Sequence, residues 1–185
     1  MTHTRRDFLS SMATLAATSA VLTLTPPGLV TSALAAQVKP RTLVFEHTHT
    51  GKRLRITYAN GNTYVPEALR TLNSFLRDHY SGTIGRMDPK LFDLLYRLKI
   101  ALGTDQPFQI ISAYRCPATN DKLRKNGKGV AKRSLHMEGK AIDVRVPGVS
   151  LGKLRDTAIA SRSGGVGYYP KSKFVHVDTG PVRNW

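Results

Sequence analysis

Two histidines and one aspartate late in the sequence have the residue types of a catalytic zinc site. His136 and Asp143 lie in the run Ser-Leu-His-Met-Glu-Gly-Lys-Ala-Ile-Asp over residues 134–143, and His176 lies in a later apolar run, Phe-Val-His-Val-Asp. Three protein ligands of this kind leave the fourth zinc position open for water. A single histidine is more often a core or loop residue. Here residue types and spacing agree, and we predict that all three bind one zinc ion.

The spacing of these residues predicts two strands that face one metal ion. The first histidine and Asp143 are too far apart for one face of a helix, and a loop that turns at Gly139 before a strand over residues 141–146 suits them better. Side chains alternate between the two faces of a strand, so Asp143 faces away from the apolar residues beside it. In the later strand His176 and Asp178 share one face. Both strands are therefore predicted to present polar faces to the same ion.

The pattern Ser-x-His-x-x-Gly-x-Ala-x-Asp, followed by a histidine in a late strand, resembles the superfamily of D-Ala-D-Ala peptidases and hedgehog-type domains. Within that superfamily the chain is similar above all to the murein endopeptidase K branch. Residues 111–115, 164–170 and 174–181 also fit this branch. The order and spacing of the elements agree as well, so the resemblance covers nearly all of the mature chain.

This resemblance implies a zinc-dependent murein endopeptidase that hydrolyses the peptide cross-links of peptidoglycan with a metal-activated water. His136, Asp143 and His176 would be the zinc ligands. Arg115, at the end of an apolar strand, would contact a carbonyl or carboxylate of the substrate, although it could also be a surface charge. Two other functions stay open: a D-Ala carboxypeptidase of the same fold, and a non-catalytic zinc-containing domain that binds the cell wall.

Three further side chains are candidates for binding substrate. Ser112 lies just before Arg115 and could hydrogen-bond either the substrate or the backbone. Tyr168 and Tyr169 lie at the end of a predicted strand and could line the cleft, although aromatic residues at strand ends more often pack against a core.

The general base departs from the superfamily pattern. Many members carry an acidic residue three positions before the last histidine, where this sequence has Lys173. Asp178 shares the strand face of His176, and Glu138 lies in the turn beside His136. Either carboxylate could act as the base or could orient a ligand histidine from behind.

The start of the sequence predicts export. Arg5 and Arg6 form a twin-arginine motif, a weakly apolar run follows, and Ala33-Leu34-Ala35 fits a cleavage site. We therefore predict an export signal over residues 1–35 and a single zinc peptidase domain over residues 36–185. The mature protein is expected to be monomeric, free of stable membrane insertion and extracytoplasmic, in the periplasm if the cell has two membranes.

Composition limits the partners. The formal net charge is +16, and removing Arg5, Arg6 and Asp7 with the signal leaves +15. An exported protein meets anionic envelope polymers rather than nucleic acid, so we interpret this charge as attraction to the cell wall.

Cys116 is the only cysteine, which excludes an intramolecular disulfide, and we predict an inert thiol. The His-x-His pair of His47 and His49 lies on a predicted turn and is expected to face solvent.

The spacing of apolar residues predicts the helices and strands that position the candidate site. A hairpin is predicted over residues 41–58, helices over 66–80, 88–102, 118–125 and 150–161, and further strands over 108–114, 141–146, 165–169 and 174–177. Helices dominate the first half and strands the second. The predicted class is α+β, with a mostly antiparallel sheet packed against helices.

Overall fold

A computed structural model of the protein describes residues 39–127 and 130–185. The predicted export signal lies outside these residues. The helices are α1 (Pro66–Phe75), α2 (Pro89–Leu102), α3 (Pro117–Asn126) and α4 (Leu151–Ala160), with a short 3-10 helix at Leu135–Glu138. The strands are β1 (Pro40–His47), β2 (Arg53–Asn60), β3 (Thr63–Tyr64), β4 (Phe108–Ser112), β5 (Ala141–Arg145), β6 (Gly165–Tyr169), β7 (Phe174–Asp178) and β8 (Arg183–Asn184).

The strands form one mixed sheet in the order β3-β2-β1-β4-β5-β7-β6-β8. The pairs β1–β4 and β6–β8 are parallel, whereas every other neighbouring pair is antiparallel. The predicted α+β class is therefore confirmed, with a sheet of mixed direction. Because β5 and β7 are neighbours, the two predicted ligand strands lie side by side.

Helix α2 begins and ends where the sequence predicts. The Asp88 side chain accepts a hydrogen bond from the Lys90 N–H at 3.0 Å, and Pro89 occupies the first turn. Gly103 ends the helix in the left-handed region, with a φ of 63°, which glycine adopts without steric cost. The apolar stripe of this helix is buried and consists of Leu91, Leu94, Leu95, Leu98 and Leu102.

The core lies between this stripe and one face of the sheet. Strands β1, β4, β5 and β7 bury Phe45, Ile110, Val144 and Val175 there, all with 0 % exposure. The side chains of β5 and β7 on the other face are therefore free to build a polar site. Within the described residues, no helix has the length and apolar character needed to cross a membrane.

The first predicted helix ends five residues early, at Phe75, because Asp78 organises a loop instead. Its buried carboxylate accepts hydrogen bonds from the backbone N–H groups of Tyr80 and Cys116, each at 2.9 Å. Burial would raise the pKa of Asp78, but these bonds and one from Thr119 bring it down to about 2. The loop is thereby tied to the residue that follows Arg115.

The prediction that His47 and His49 both face solvent is wrong for His47. Its side chain is buried and its Nδ1 accepts a hydrogen bond from the His49 N–H at 3.3 Å. His49 is exposed, and its ring stacks on His79 with centroids 3.9 Å apart. The three rings do not bring their nitrogens together as a metal site, since the only such group among residues 39–127 and 130–185 is the one described next.

Candidate metal centre

Strand pairing brings the three predicted zinc ligands together. Asp143 in β5 lies directly opposite His176 in β7, and His136 lies in the 3-10 helix that leads into β5. One nitrogen of each histidine and one carboxylate oxygen of Asp143 lie within 4.8 Å of one another, and all three residues are buried. The pairing of β5 with β7 and one short turn therefore bring together residues that are far apart in the sequence.

Asp143 Oδ1 is the centre of this group. It lies 2.8 Å from His176 Nδ1 and 3.3 Å from His136 Nε2. The same two ring nitrogens are 3.2 Å apart. Three ligand atoms thus converge on one small volume from two strands and a helix.

The outer nitrogen of each histidine has its own acceptor. His136 Nδ1 donates to the Ala113 carbonyl at 2.7 Å, and His176 Nε2 donates to Asp178 Oδ2 at 3.1 Å. A carbonyl and a carboxylate can only accept, so each neutral imidazole carries its proton on that outer nitrogen. The lone pairs of the inner nitrogens then face Asp143. Two imidazoles and a carboxylate suit zinc better than magnesium or calcium, which prefer oxygen ligands.

Burial and charge act in opposite directions on these groups. Burial would raise the pKa of Asp143, but the neighbouring imidazoles outweigh burial and hold the pKa below its usual value. Burial would lower the pKa of His176, yet its contacts with Asp143 and Asp178 raise it to about 9. A protonated His176 carries a proton on Nδ1, the nitrogen that faces Asp143. A metal ion can bind Nδ1 only after this proton is lost, so metal affinity at this site is coupled to proton release.

Asp178 lies behind His176 and is fully buried. Its Oδ1 accepts from the backbone N–H groups of Gly165 at 2.9 Å and Gly180 at 2.8 Å, while Arg183 Nη2 pairs with Oδ2 at 2.8 Å. Burial would raise the pKa of Asp178, but the hydrogen bonds from His176 and these groups hold it below its usual value. The imidazole of His176 separates this carboxylate from the other ligand atoms.

Gly139 provides the turn between the first histidine and β5, as the sequence predicts. Its φ is 65°, in the left-handed region, and a Cβ atom there would lie 2.0 Å from the Arg86 carbonyl oxygen. The Gly139 carbonyl in turn accepts from the Asp88 N–H at 2.9 Å. Only glycine permits this close approach of the ligand loop to the start of α2.

We expect Gly139→Ala to lower the free energy of unfolding by about 3 kcal/mol or more, because it adds backbone strain and a steric clash. Gly148→Ala is the matched control, since Gly148 has a φ of 74° and nothing within 4 Å of an added Cβ. That variant carries the strain alone, about 1–2 kcal/mol. Urea unfolding measures both. Equal losses would contradict the role of the close approach.

A cavity of about 610 Å³ is lined by all three predicted ligands, His136, Asp143 and His176. Arg115 contributes further lining, as do residues 130, 131 and 133–135, and the remainder comes from Tyr169, Ser172, Phe174, Arg183 and Trp185. Asp143 is the only carboxylate of this lining among the residues that the structure describes. The cavity is large enough for part of a peptide, and the ligand atoms lie at its surface.

Of the other predicted site residues, some line the cavity and some do not. Arg115 lines the cavity, and its guanidinium donates to Asn120 Oδ1 at 3.2 Å and Ser112 Oγ at 3.4 Å. Ser112 itself does not line the cavity, and its hydroxyl holds Arg115 instead. Tyr169 lines the cavity, whereas Tyr168 lies on the opposite face of β6, with Arg155 4.6 Å above its ring.

Glu138 and Cys116 lie outside the cavity lining. The exposed carboxylate of Glu138 pairs with Lys140 at 2.8 Å. The Cys116 thiol is buried against the Thr119 hydroxyl at 3.3 Å, and this contact lowers its pKa, so the inert role stays a prediction.

Sequence reasoning missed several cavity residues. Strand alternation could have identified Phe174, because it lies two residues before His176. Arg183 and Trp185 reach the cavity through β8, a two-residue strand with no periodic signal. The Trp185 ring lies 5.4 Å from the His176 ring, and a Cβ atom at Gly167 would lie 2.8 Å from its indole. The glycine in β6 is therefore the one sequence signal of this contact.

Known proteins similar to this chain belong to one family. A family model described as Peptidoglycan L,D-endopeptidase MepK matches residues 35–185. Peptidoglycan L,D-endopeptidase MepK of Escherichia coli K12 is 47 % identical over 147 residues, which cover 80 % of this chain and 81 % of that protein. A probable peptidoglycan L,D-endopeptidase MepK of Haemophilus influenzae is 42 % identical over 154 residues, with 83 % of both chains covered. No solved structure matches the chain, and the hedgehog-type topology stays a prediction.

Proposed function

The chain belongs to the MepK family of peptidoglycan L,D-endopeptidases, and from this membership we propose that it hydrolyses peptide cross-links of peptidoglycan in a zinc-dependent reaction. The observation that carries the proposal is the convergence of His136 Nε2, His176 Nδ1 and Asp143 Oδ1 at the surface of a peptide-sized cavity. A zinc ion held by these atoms would polarise the scissile carbonyl and lower the pKa of a water molecule to ~7.

The protein side chains hold this arrangement before substrate arrives. The Ala113 carbonyl fixes the tautomer of His136, and Asp178 fixes that of His176. Both acceptors place the proton of the neutral ring on the outer nitrogen, so the inner nitrogen of His176 becomes a metal ligand once the ring loses its second proton. Burial of all three ligands excludes bulk water from the ring faces and strengthens their interaction with charge.

Arg115 is proposed to bind the substrate peptide. Its guanidinium lines the cavity while Asn120 and Ser112 fix its orientation, and both of these partners are neutral. The positive charge therefore stays available for a carbonyl or carboxylate oxygen of the substrate. Ser112 acts through Arg115 in this proposal, and Tyr169 contributes an aromatic surface for the peptide.

The position of Asp178 favours an orienting role over that of a general base. Its carboxylate meets the far nitrogen of His176 and is held by Gly165, Gly180 and Arg183. A base must lie within hydrogen-bond reach of the proton that it takes. Asp178 lies on the far side of an imidazole ring from the ligand atoms, and we propose that it sets the tautomer and charge of His176.

The substrate places the site of action outside the cytoplasm, because peptidoglycan lies there. We propose that residues 1–35 direct the chain there by the twin-arginine route and are then removed. The mature domain is proposed to act as a monomer.

We expect one zinc ion per chain after purification without chelator, measured by elemental analysis against protein concentration. Chelation should remove the metal together with activity, and added zinc should restore both. His136→Ala should lower the zinc content to a small fraction of one per chain, because two ligands remain. A chain free of metal that takes up none on zinc addition would contradict the proposed centre.

Defined muropeptide dimers test the reaction itself. Incubation of the mature protein with 3-3 and 4-3 cross-linked dimers, followed by mass spectrometry, should yield monomers by cleavage of the cross-link. Release of terminal D-Ala alone would identify a carboxypeptidase instead. Binding of the dimers without any product would identify a non-catalytic wall-binding domain.

A further inference from the structure

The cavity has two chemically different sides, and the order of the sheet separates them. Arg115 follows β4, on one side of β5, whereas Tyr169 in β6 and Trp185 after β8 lie on the other. Phe174 stacks on Tyr169 with ring centroids 4.6 Å apart, and Trp185 Nε1 donates to the Tyr169 hydroxyl at 2.8 Å. The metal ligands thus lie between a cationic side and an aromatic side.

Arg133 belongs to the cationic side. It lies in the irregular segment before the 3-10 helix, and one hydrogen bond from this segment and one from that helix tie them to the Arg115 region. The Arg115 N–H donates to the His136 carbonyl at 3.2 Å, and Asn120 Nδ2 donates to the Ala131 carbonyl at 3.1 Å. Arg133 therefore lines the cavity from the same side as Arg115.

Charge in the cavity is unbalanced on this side. Asp178 neutralises Arg183 through two contacts, at 2.8 and 3.3 Å. Neither Arg115 nor Arg133 has a carboxylate partner within ion-pair distance among the residues that the structure describes. Asp143, the only carboxylate of the lining, is committed to the two histidines. Two guanidinium groups are thus left for an anion from outside the protein.

We propose that Arg133 is a specificity-determining residue that binds a free carboxylate of the substrate beside the scissile bond. This inference rests on the proposed function. In a diaminopimelate cross-link, the carbon that carries the scissile nitrogen also carries a carboxylate, unless that group is amidated. The aliphatic stem of the same residue would lie against Tyr169, Phe174 and Trp185. The enzyme should therefore prefer cross-links with a free carboxylate over amidated ones.

The experiment uses the only tryptophan of the chain as its reporter. Trp185 lies in the cavity, so its fluorescence follows occupation without the need for turnover. Two uncross-linked diaminopimelate tripeptides are titrated into the mature protein. In one of them the carboxylate on the carbon that carries the side-chain amine is free, and in the other this carboxylate is amidated. Calorimetry on the same samples provides an independent Kd. Cleavage of the matching dimers then gives kcat/KM for each form.

Arg133→Gln and Lys132→Gln form a matched pair of variants. Both residues are exposed and each variant removes one positive charge from the same segment, but only Arg133 lines the cavity. The native protein and Lys132→Gln should bind the free-carboxylate peptide about 10-fold more tightly than the amidated one, as expected for a charge-assisted hydrogen bond. Arg133→Gln should bring the two Kd values within about twofold, and Arg133→Lys should keep part of the preference.

Two results would overturn the proposal: equal affinity of the native protein for both peptides, or equal loss of preference in Arg133→Gln and Lys132→Gln. The second result would assign the preference to overall charge rather than to Arg133. If the native protein cleaves neither dimer but keeps the Kd ratio, the endopeptidase function fails while the carboxylate site stands. Cleavage of both dimers with equal kcat/KM and equal Kd would leave the function and remove the site.

Discussion

We expect His176→Ala to lower the rate of cross-link hydrolysis by about 10³-fold or more while the protein keeps its fold, because the variant loses one of the three proposed metal ligands. The imidazole contributes the Nδ1 atom that lies 2.8 Å from Asp143. Its neighbours on the opposite strand face, Val175 and Val177, are fully buried and hold β7 in the core. Zinc content should fall together with activity.

The fold should survive because the buried charge behind the ring stays paired. Arg183, Gly165 and Gly180 still bind Asp178 in the variant. One lost hydrogen bond to a charged group costs about 1.5–3 kcal/mol, which a domain of this size tolerates. Circular dichroism, zinc analysis and muropeptide cleavage on one preparation test all three expectations.

His49→Ala is the control for His176→Ala, since His49 is an exposed histidine outside the cavity lining. It should keep zinc content and activity. Full activity of His176→Ala would remove His176 from the ligand set, and loss of its circular dichroism signal would assign the residue a structural role instead.

Asp178→Asn should weaken zinc binding by ~10–100-fold, and excess zinc should restore much of the lost rate. The three N–H donors around Oδ1, from Gly165, Gly180 and Arg183, require an oxygen there, so the new amide NH2 must occupy the position of Oδ2. That group is a donor. It removes the acceptor of Arg183 Nη2 and faces His176 Nε2, which now has to accept. The proton of the imidazole then moves to Nδ1, the atom that should bind the metal.

A zinc titration of activity distinguishes the roles of Asp178. If Asp178 were the general base, kcat at saturating zinc would stay about 10²-fold or more below that of the native protein. If it only capped the turn at Gly180, stability would fall while zinc affinity and kcat stayed normal. Asp156→Asn is the matched control, because Asp156 is an exposed carboxylate on α4 that pairs with Arg155. Normal zinc affinity, rate and stability in Asp178→Asn would exclude all three roles.

Local patterns were sufficient to predict the strands that carry Asp143 and His176 and most of α2. Alternation around Asp143 and His176 gives their shared face directly, and the leucine stripe with Asp88 and Gly103 gives the bounds of the helix. These features depend on neighbours within a few residues along the chain. The antiparallel pairing that joins the two ligand strands then follows from their common polar face.

Contacts between distant residues explain what the sequence did not predict. The early end of α1 depends on Asp78, whose carboxylate binds the N–H of Cys116 far along the chain. The burial of His47 depends on its packing against Phe75, with ring centroids 6.0 Å apart. Arg183 and Trp185 enter the cavity only because β8 pairs with β6. None of these contacts leaves a periodic trace in the local sequence.

The proposed metal ligands and the proposed specificity residue lie in different kinds of structure, and this has an evolutionary consequence. Asp143 and His176 lie on β5 and β7, each of which is hydrogen-bonded to a strand on both sides. Arg133 lies in an irregular segment that belongs to no strand or helix. If Arg133 sets the preference as proposed, substitutions in that segment lie outside β5 and β7, so selection can change which cross-link is preferred and keep the strands that carry Asp143 and His176. Homologues that meet differently amidated walls should therefore diverge first around residues 130–133.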